Sequence, residues 1–330
     1  MAKDLTSDST SDSTNNSTRD SKARRRKGIK LDGWLVIDKP LGMTSTQVVG
    51  KCRWLTKARK AGHGGTLDPL ATGILPIAFG EATKTIPFIM DARKTYEFTV
   101  SFGEARDTGD AEGKIIATSD HRPSEQDILA ALPGFIGRIR QVPPIYSAVK
   151  IDGRRAYDLA RAGEEVVIKS REVDVFSLDL LSCDAGQASL KLVCGKGTYV
   201  RSLARDLAEN LGTVGYVSAL RRTRVGPFDL KASISLEKLE DMGHSAPPEE
   251  WILPVVTVLD DILALAVTEE EAGLLSHGQR LLLHRQRLEI PAPLPQGIIR
   301  VMTGTRLVAL CEVEITPENM IIKPVRVFNI

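Results

Sequence analysis

Apolar positions along this chain follow two periods. From Lys94 to Gly103 they alternate, so Tyr96, Phe98, Val100 and Phe102 share one face, the mark of a half-buried strand. Leu190-Lys191-Leu192-Val193-Cys194 alternates in the same way, while Gly33-Trp34-Leu35-Val36-Ile37 and Ile74-Leu75-Pro76-Ile77-Ala78-Phe79 are short apolar runs suited to core strands. The helical period is clearest at Val200, Leu203, Ala204, Leu207, Ala208 and Leu211, with Gly212 as the stop. A second helix is predicted behind Thr44-Ser45-Thr46, with Val48, Cys52 and Leu55 inward and Lys51, Arg53 and Lys57 outward. A third follows the capping box from Ser124 to Asp127 and ends at Pro133-Gly134, and Glu81 to Lys84 begins another helical segment. From about residue 253 short runs return. Ile298–Met302 and Arg306–Leu310 flank Thr303-Gly304-Thr305 as a hairpin, Val325–Ile330 reads as a last strand, and the whole predicts a small all-β domain.

The densest chemistry lies in Gly62-His63-Gly64-Gly65-Thr66-Leu67-Asp68-Pro69-Leu70-Ala71-Thr72-Gly73, one imidazole and one carboxylate in a glycine-rich loop. Asp68-Pro69 reads as the N-cap and first position of a helix. The glycines equally suit a backbone that must come close to a ligand, and a capping aspartate can also face one. Asp107-Thr108-Gly109-Asp110-Ala111-Glu112-Gly113 carries three acids, but the spacing does not fit a calcium loop, so a solvated turn is expected. Gly195-Lys196-Gly197 lacks the remainder of a phosphate loop. Arg201 stands in the first turn of its helix, where the helix dipole slightly disfavours a cation; it needs a partner, and a carboxylate from another segment would serve. The stretch from Gln141 to Tyr157 interleaves prolines, tyrosines and cations in a way that suits stacking on bases and pairing with phosphates.

Composition adds bounds. At 330 residues and 42% hydrophobic content the chain buries a sizeable core, in two domains. Net charge is only +2, yet cations cluster at Arg24–Lys27, Arg53–Lys60, Arg138–Lys150 and Arg221-Arg222-Arg224. Any one run is most simply a solvated face, but together they suggest a polyanionic partner. The four scattered cysteines include no Cys-x-x-Cys and no histidine at metal-ligand spacing, which implies reduced thiols and no structural zinc. No apolar run reaches the ~18 residues of a membrane span, and the polar start is unlike a secretory signal. The expectation is a cytoplasmic protein whose residues 1–28 form a disordered polar and basic tail.

With these stretches laid out, the chain resembles the TruB family of pseudouridine synthases, bacterial enzymes that convert uridine 55 in the T-arm of tRNA to pseudouridine. The resemblance spans residues 31–330. It rests on Gly33–Pro40, the loop from His63 to Gly73, Lys94-Thr95-Tyr96, Val142–Lys150 and Gly197-Thr198-Tyr199-Val200-Arg201-Ser202-Leu203, in that order. It implies an α+β catalytic domain at 29–252, built around a mixed, largely antiparallel sheet. A small all-β, PUA-like RNA-binding domain would follow at 253–330, interrupted by an insertion-like Pro291-Ala292-Pro293-Leu294-Pro295-Gln296. Asp68 matches the family's catalytic aspartate, Tyr96 the tyrosine under the target base, and Arg201 the arginine that pairs with the aspartate. His63 matches a residue that holds the distorted T-loop, and Tyr199 and Leu220 match pocket residues. Lys39, Lys84, Lys150, Arg154, Arg221 and Arg222 are candidates for the RNA backbone. No metal, cofactor, membrane or obligate protein partner is implied, and a monomer is expected. A noncatalytic RNA-binding protein or tRNA-folding chaperone on the same scaffold would not need Asp68, Tyr96 and Arg201 together. A glycoside hydrolase normally uses two acids, and no second acid stands beside the loop in the sequence.

Overall fold

The computed structural model describes residues 28–330 apart from 148, 152, 165, 185, 246 and 285–296. The expected tail, Gly28 excepted, and the stretch from Pro291 to Gln296 therefore lie outside the described residues. The first half runs β1 (Gly33–Lys39), α1 (Ser45–Thr56), β2 (Ala61–His63), β3 (Ala71–Phe79), a 3-10 turn at Gly80–Thr85, α2 (Ile86–Asp91), β4 (Lys94–Phe102), β5 (Glu104–Arg106) and β6 (Ile115–Thr118). There follow α3 (Glu125–Ala131), β7 (Gly137–Gln141), β8 (Lys150–Ile151), β9 (Arg154–Arg155), α4 (Ala156–Arg161), β10 (Arg171–Cys183), β11 (Gln187–Cys194), α5 (Val200–Asn210), β12 (Gly215–Val225), β13 (Phe228–Asp229) and α6 (Leu236–Ser245).

The capping signals read from the sequence act as expected. Thr44 accepts from the Gln47 amide and the Gln47 side chain answers the Thr44 amide, which starts α1, while Ser124 and Asp127 do the same for α3. Nine strands form the central sheet in the order β1-β3-β12-β4-β11-β10-β7, with β2 on β3 and β13 on β12. Every ladder in it is antiparallel except β3 with β12, so the α+β class with a largely antiparallel sheet holds. The stripe of α5 (Leu203, Ala204, Leu207, Ala208) packs against Phe98, Val100, Leu190 and Leu192. A second core forms where α1 and α6 meet β1 and β3. Tyr96 and Leu220 border both cores, and the candidate site opens at that seam.

A separate sheet ends the chain: β14 (Ala264–Ala266), β15 (Leu281–His284), β16 (Ile298–Thr303), β17 (Arg306–Ile315) and β18 (Asn319–Val327), ordered β14-β16-β17-β18-β15. The expected hairpin is β16–β17, turning at Gly304, whose φ of +55° suits glycine. One helix, α7 (Glu269–Ser276), packs on this sheet, so the domain is not all-β as the alternating runs predict. Its cue was present, since Thr268 and Glu271 form a capping box. The last strand starts earlier than expected and ends at Val327, with Phe328 buried against a core that includes Trp34 and Phe228.

The helix expected to start at Asp68 is absent. Ala71 N–H donates to Asp68 O at 3.0 Å, closing a tight turn over Pro69-Leu70, and β3 begins at Ala71. The reason is tertiary: Ala71, Thr72 and Gly73 pair in parallel with Leu220, Arg221 and Arg222. Gly73 sits at φ +97°, and a Cβ there would lie 2.2 Å from the Arg222 carbonyl oxygen. Gly73→Ala is therefore expected to lower stability by about 3 kcal/mol or more, from the strained backbone plus the clash. The midpoint of urea unfolding checks this, and an unchanged midpoint would contradict the assigned close approach.

Candidate active site

A cleft of about 310 Å³ opens between the glycine loop, β4, β12 and the start of α5. Its lining includes Asp68, Lys94, Tyr96, Tyr199, Arg201 and Leu220. Five of the six residues assigned to the site from the sequence thus share one cleft, and the exception is His63. That histidine lies on β2 opposite Ile77, outside the lining, with Nδ1 buried and no hydrogen-bond partner. Burial lowers its pKa, with the Arg222 charge adding to the shift, so the imidazole is neutral at pH 7.

The partner that Arg201 required is Asp68. Its guanidinium lies 2.8 Å from the Asp68 carboxylate, with Arg201 only 6% exposed and Asp68 41% exposed. Three more acceptors fix the guanidinium: Thr108 O at 2.8 Å, Tyr146 O at 2.9 Å and, more distantly, the Asp110 carboxylate at 3.7 Å. A cation this buried is tolerable only with its donors satisfied, and here two carbonyls and two carboxylates do it. The segment read as a solvated turn is corrected by this geometry: Asp110 is 13% exposed and Thr108 faces the arginine, because the turn after β5 folds back onto α5. Nothing local marked them, since their partner lies far along the chain.

The Asp68 loop is anchored from below. Lys39 is fully buried and its ammonium donates to Met43 O at 2.6 Å, Pro40 O at 2.9 Å and Pro69 O at 3.1 Å. Arg222, also fully buried, donates to Ile74 O at 2.8 Å, Gly65 O at 3.0 Å and Thr66 O at 3.5 Å. Ser45 closes the set, accepting from Leu67 N–H at 2.8 Å and donating to Leu67 O at 3.0 Å. The assignment of Lys39 and Arg222 to the RNA backbone is therefore overturned. Both are spent on backbone carbonyls of the glycine loop and of the segments beside it. Of the other candidates, Lys84 bonds Glu81 and Val327 O, tying the 3-10 turn to the end of β18. Arg221 pairs with Asp38 at 2.6 Å and Arg154 with Glu164 at 2.8 Å, both partly or wholly exposed, while the Lys150 side chain lies outside the described residues.

The walls follow from local structure. Tyr96 sits on β4 across from Leu192 and Arg222, and burial pushes its phenol pKa up, so it stays protonated at neutral pH. Tyr199 precedes α5; its amide donates to the Gln141 side chain at 2.8 Å, which donates back to Tyr199 O, and Arg171 lies 4.9 Å over its ring. Leu220 faces the cleft from β12.

Burial lowers the pKa of Lys39 to about 8, against the raising influence of Asp68. In the unfolded chain this lysine titrates near 10.5, so between about pH 8 and 10.5 the unfolded state holds a proton that the folded state has released. Stability from this group therefore rises with pH across that window and is flat below it. Urea unfolding at several pH values from 7.5 to 10 is expected to show a more positive slope for wild type than for Lys39→Met; the reverse order would contradict the assigned burial.

Among the described residues no helix is long and apolar enough to cross a membrane, and no His/Cys/Asp/Glu cluster has metal-binding geometry. The family model for the TruB pseudouridylate synthase N-terminal domain matches residues 53–200, and that for the tRNA pseudouridylate synthase B C-terminal domain matches residues 201–264. The tRNA pseudouridine synthase B of Caulobacter vibrioides is 52% identical over 312 residues, covering 93% of this chain and 99% of that protein. That of Gluconacetobacter diazotrophicus is 54% identical over 305 residues, covering 90% and 100%. Among solved structures, a chain of a Cbf5–Nop10–Gar1 complex superposes with a TM-score of 0.69 at 25% identity, over 89% of this chain and 84% of that one. The cleft and its paired aspartate thus sit in a chain matched nearly end to end by these synthases, and the chain belongs to the TruB family of pseudouridylate synthases, which are isomerases.

Proposed function

We propose that this chain isomerises uridine 55 in the T-loop of tRNA to pseudouridine, with Asp68 as its catalytic carboxylate. The observation that carries this is the Asp68–Arg201 pair, 2.8 Å apart in a cleft that also holds Tyr96. The relatives' printed names supply tRNA as the substrate class. The reaction breaks the bond from uracil N1 to the ribose, turns the base and joins C5 to the same carbon. C5 gives up a proton and N1 gains one, so atoms balance and no electrons are exchanged.

Each residue then has a task. The cleft has the size of a small-ligand pocket, and a base reaches it only by leaving its stack, at a cost of a few kcal/mol. Stacking on the Tyr96 ring offsets about 1–3 kcal/mol of that cost. Arg201 orients the Asp68 carboxylate and sets a positive charge against it as RNA displaces water from the cleft. Leu220 and Tyr199 close the sides. The neutral His63, on the strand leading into the loop, supports the distorted T-loop. The five-stranded sheet after residue 252 serves as a PUA-like RNA-binding domain, and the protein acts in the cytoplasm as a monomer.

The test is release of tritium from tRNA labelled at uridine C5. Wild type is expected to release the label from position 55, and a transcript with cytidine at that position is expected to release none from it. Failure of wild type to release tritium from intact tRNA would overturn the reading.

A further inference from the structure

We infer that the outer face of α1 and the strand leading away from it form a second RNA-binding surface, one that grips the phosphate backbone of the same tRNA outside the cleft. This rests on the proposed function for its ligand. Trp54, on the last turn of α1, is 72% exposed, whereas Trp34 is fully buried. Arg53 and Lys57 line the same surface hollow as Trp54 and Lys60 follows three residues on; all three cations are exposed and none is paired with an acid in any ion pair described. A lone exposed aromatic is ordinary, and so is a single basic run. An aromatic face set among unpaired cations is the combination that fits single- or double-stranded nucleic acid.

One further observation favours RNA over a protein partner: the surface continues toward the site. Lys60 leads directly into β2, whose three residues end at His63, a run of about 10 Å at strand spacing. A tRNA stem whose loop enters the cleft has to leave along some surface of the protein, and this one carries complementary charge, with Lys51 the one cation of α1 held in an ion pair among those described, to Glu240.

The experiment measures tRNA binding by full-length protein across a range of salt, together with tritium-release kinetics. The triple variant Arg53→Gln/Lys57→Asn/Lys60→Gln removes the charges; asparagine is chosen because Lys57 lies at φ +54°. The plot of log affinity against log salt is expected to become shallower by about 2–3, with the loss falling on KM and not on kcat. Trp54→Ala is expected to weaken binding several-fold with the salt slope retained. Affinity and slope equal to wild type in both variants would overturn the inference and leave the patch to a protein partner. Absence of tritium release by wild type would overturn the proposed function instead, so the two failures are distinguishable.

Discussion

Asp68→Asn is expected to lower kcat by at least about 10⁴-fold while leaving tRNA affinity within a few-fold of wild type. The substitution keeps the shape of the side chain and removes its charge. Most of the loop's anchoring runs through Lys39, Ser45 and Arg222 to backbone carbonyls and not through the Asp68 carboxylate, so the loop is expected to hold its position. Binding should survive because the energy of capture comes from phosphate contacts and base stacking, which the variant retains. What it loses is the negative charge where the glycosidic bond is broken, an interaction realised only as the reaction proceeds. The buried Arg201 keeps Asp110, Thr108 O and Tyr146 O as partners and needs no compensating rearrangement.

Arg201→Met is expected to be costly in two ways. It orphans two carbonyls and leaves Asp110, at 13% exposure, beside an apolar side chain. Breaking a buried ion pair from one side costs about 3–5 kcal/mol, and the 41% exposure of Asp68 places this case near 3 kcal/mol. Catalysis is expected to fall by about 10²–10³-fold in kcat at temperatures where the variant is folded, since Asp68 then has no guanidinium to hold it in position. Arg201→Lys separates the two effects: it restores a charge but not the planar fork, so it should recover part of the stability and little of kcat. Urea unfolding and single-turnover kinetics on the same preparations measure both. A lysine variant with full activity would show that the fork is not needed.

The sequence pattern located much of this arrangement because the elements that build it are locally encoded. The alternation through Tyr96, Phe98, Val100 and Phe102 is β4, the stripe from Val200 is α5, and the poor fit of Arg201 with its own helix dipole pointed to a carboxylate elsewhere. What was illegible depends on neighbours in space. Lys39 and Arg222 look like surface cations in the chain, and only the folded loop shows that its carbonyls take up their donors. Asp110 looked solvated because its turn gives no sign of folding onto α5. Asp68-Pro69 has the local chemistry of a helix start, and pairing of the next three residues with β12 overrides it. The helix α7 differs from these, since its capping box, Thr268 with Glu271, is a local signal set among alternating runs.

The account stands most directly on where the modification appears and on which residue it depends. An unmodified tRNA transcript incubated with purified protein, then treated with carbodiimide and read by primer extension, marks each pseudouridine by a stop. Wild-type protein is expected to produce one stop, at position 55, and Asp68→Asn none, although it binds the same transcript. A stop at position 55 with the variant at wild-type yield, or wild-type stops at other positions and not at 55, would contradict it.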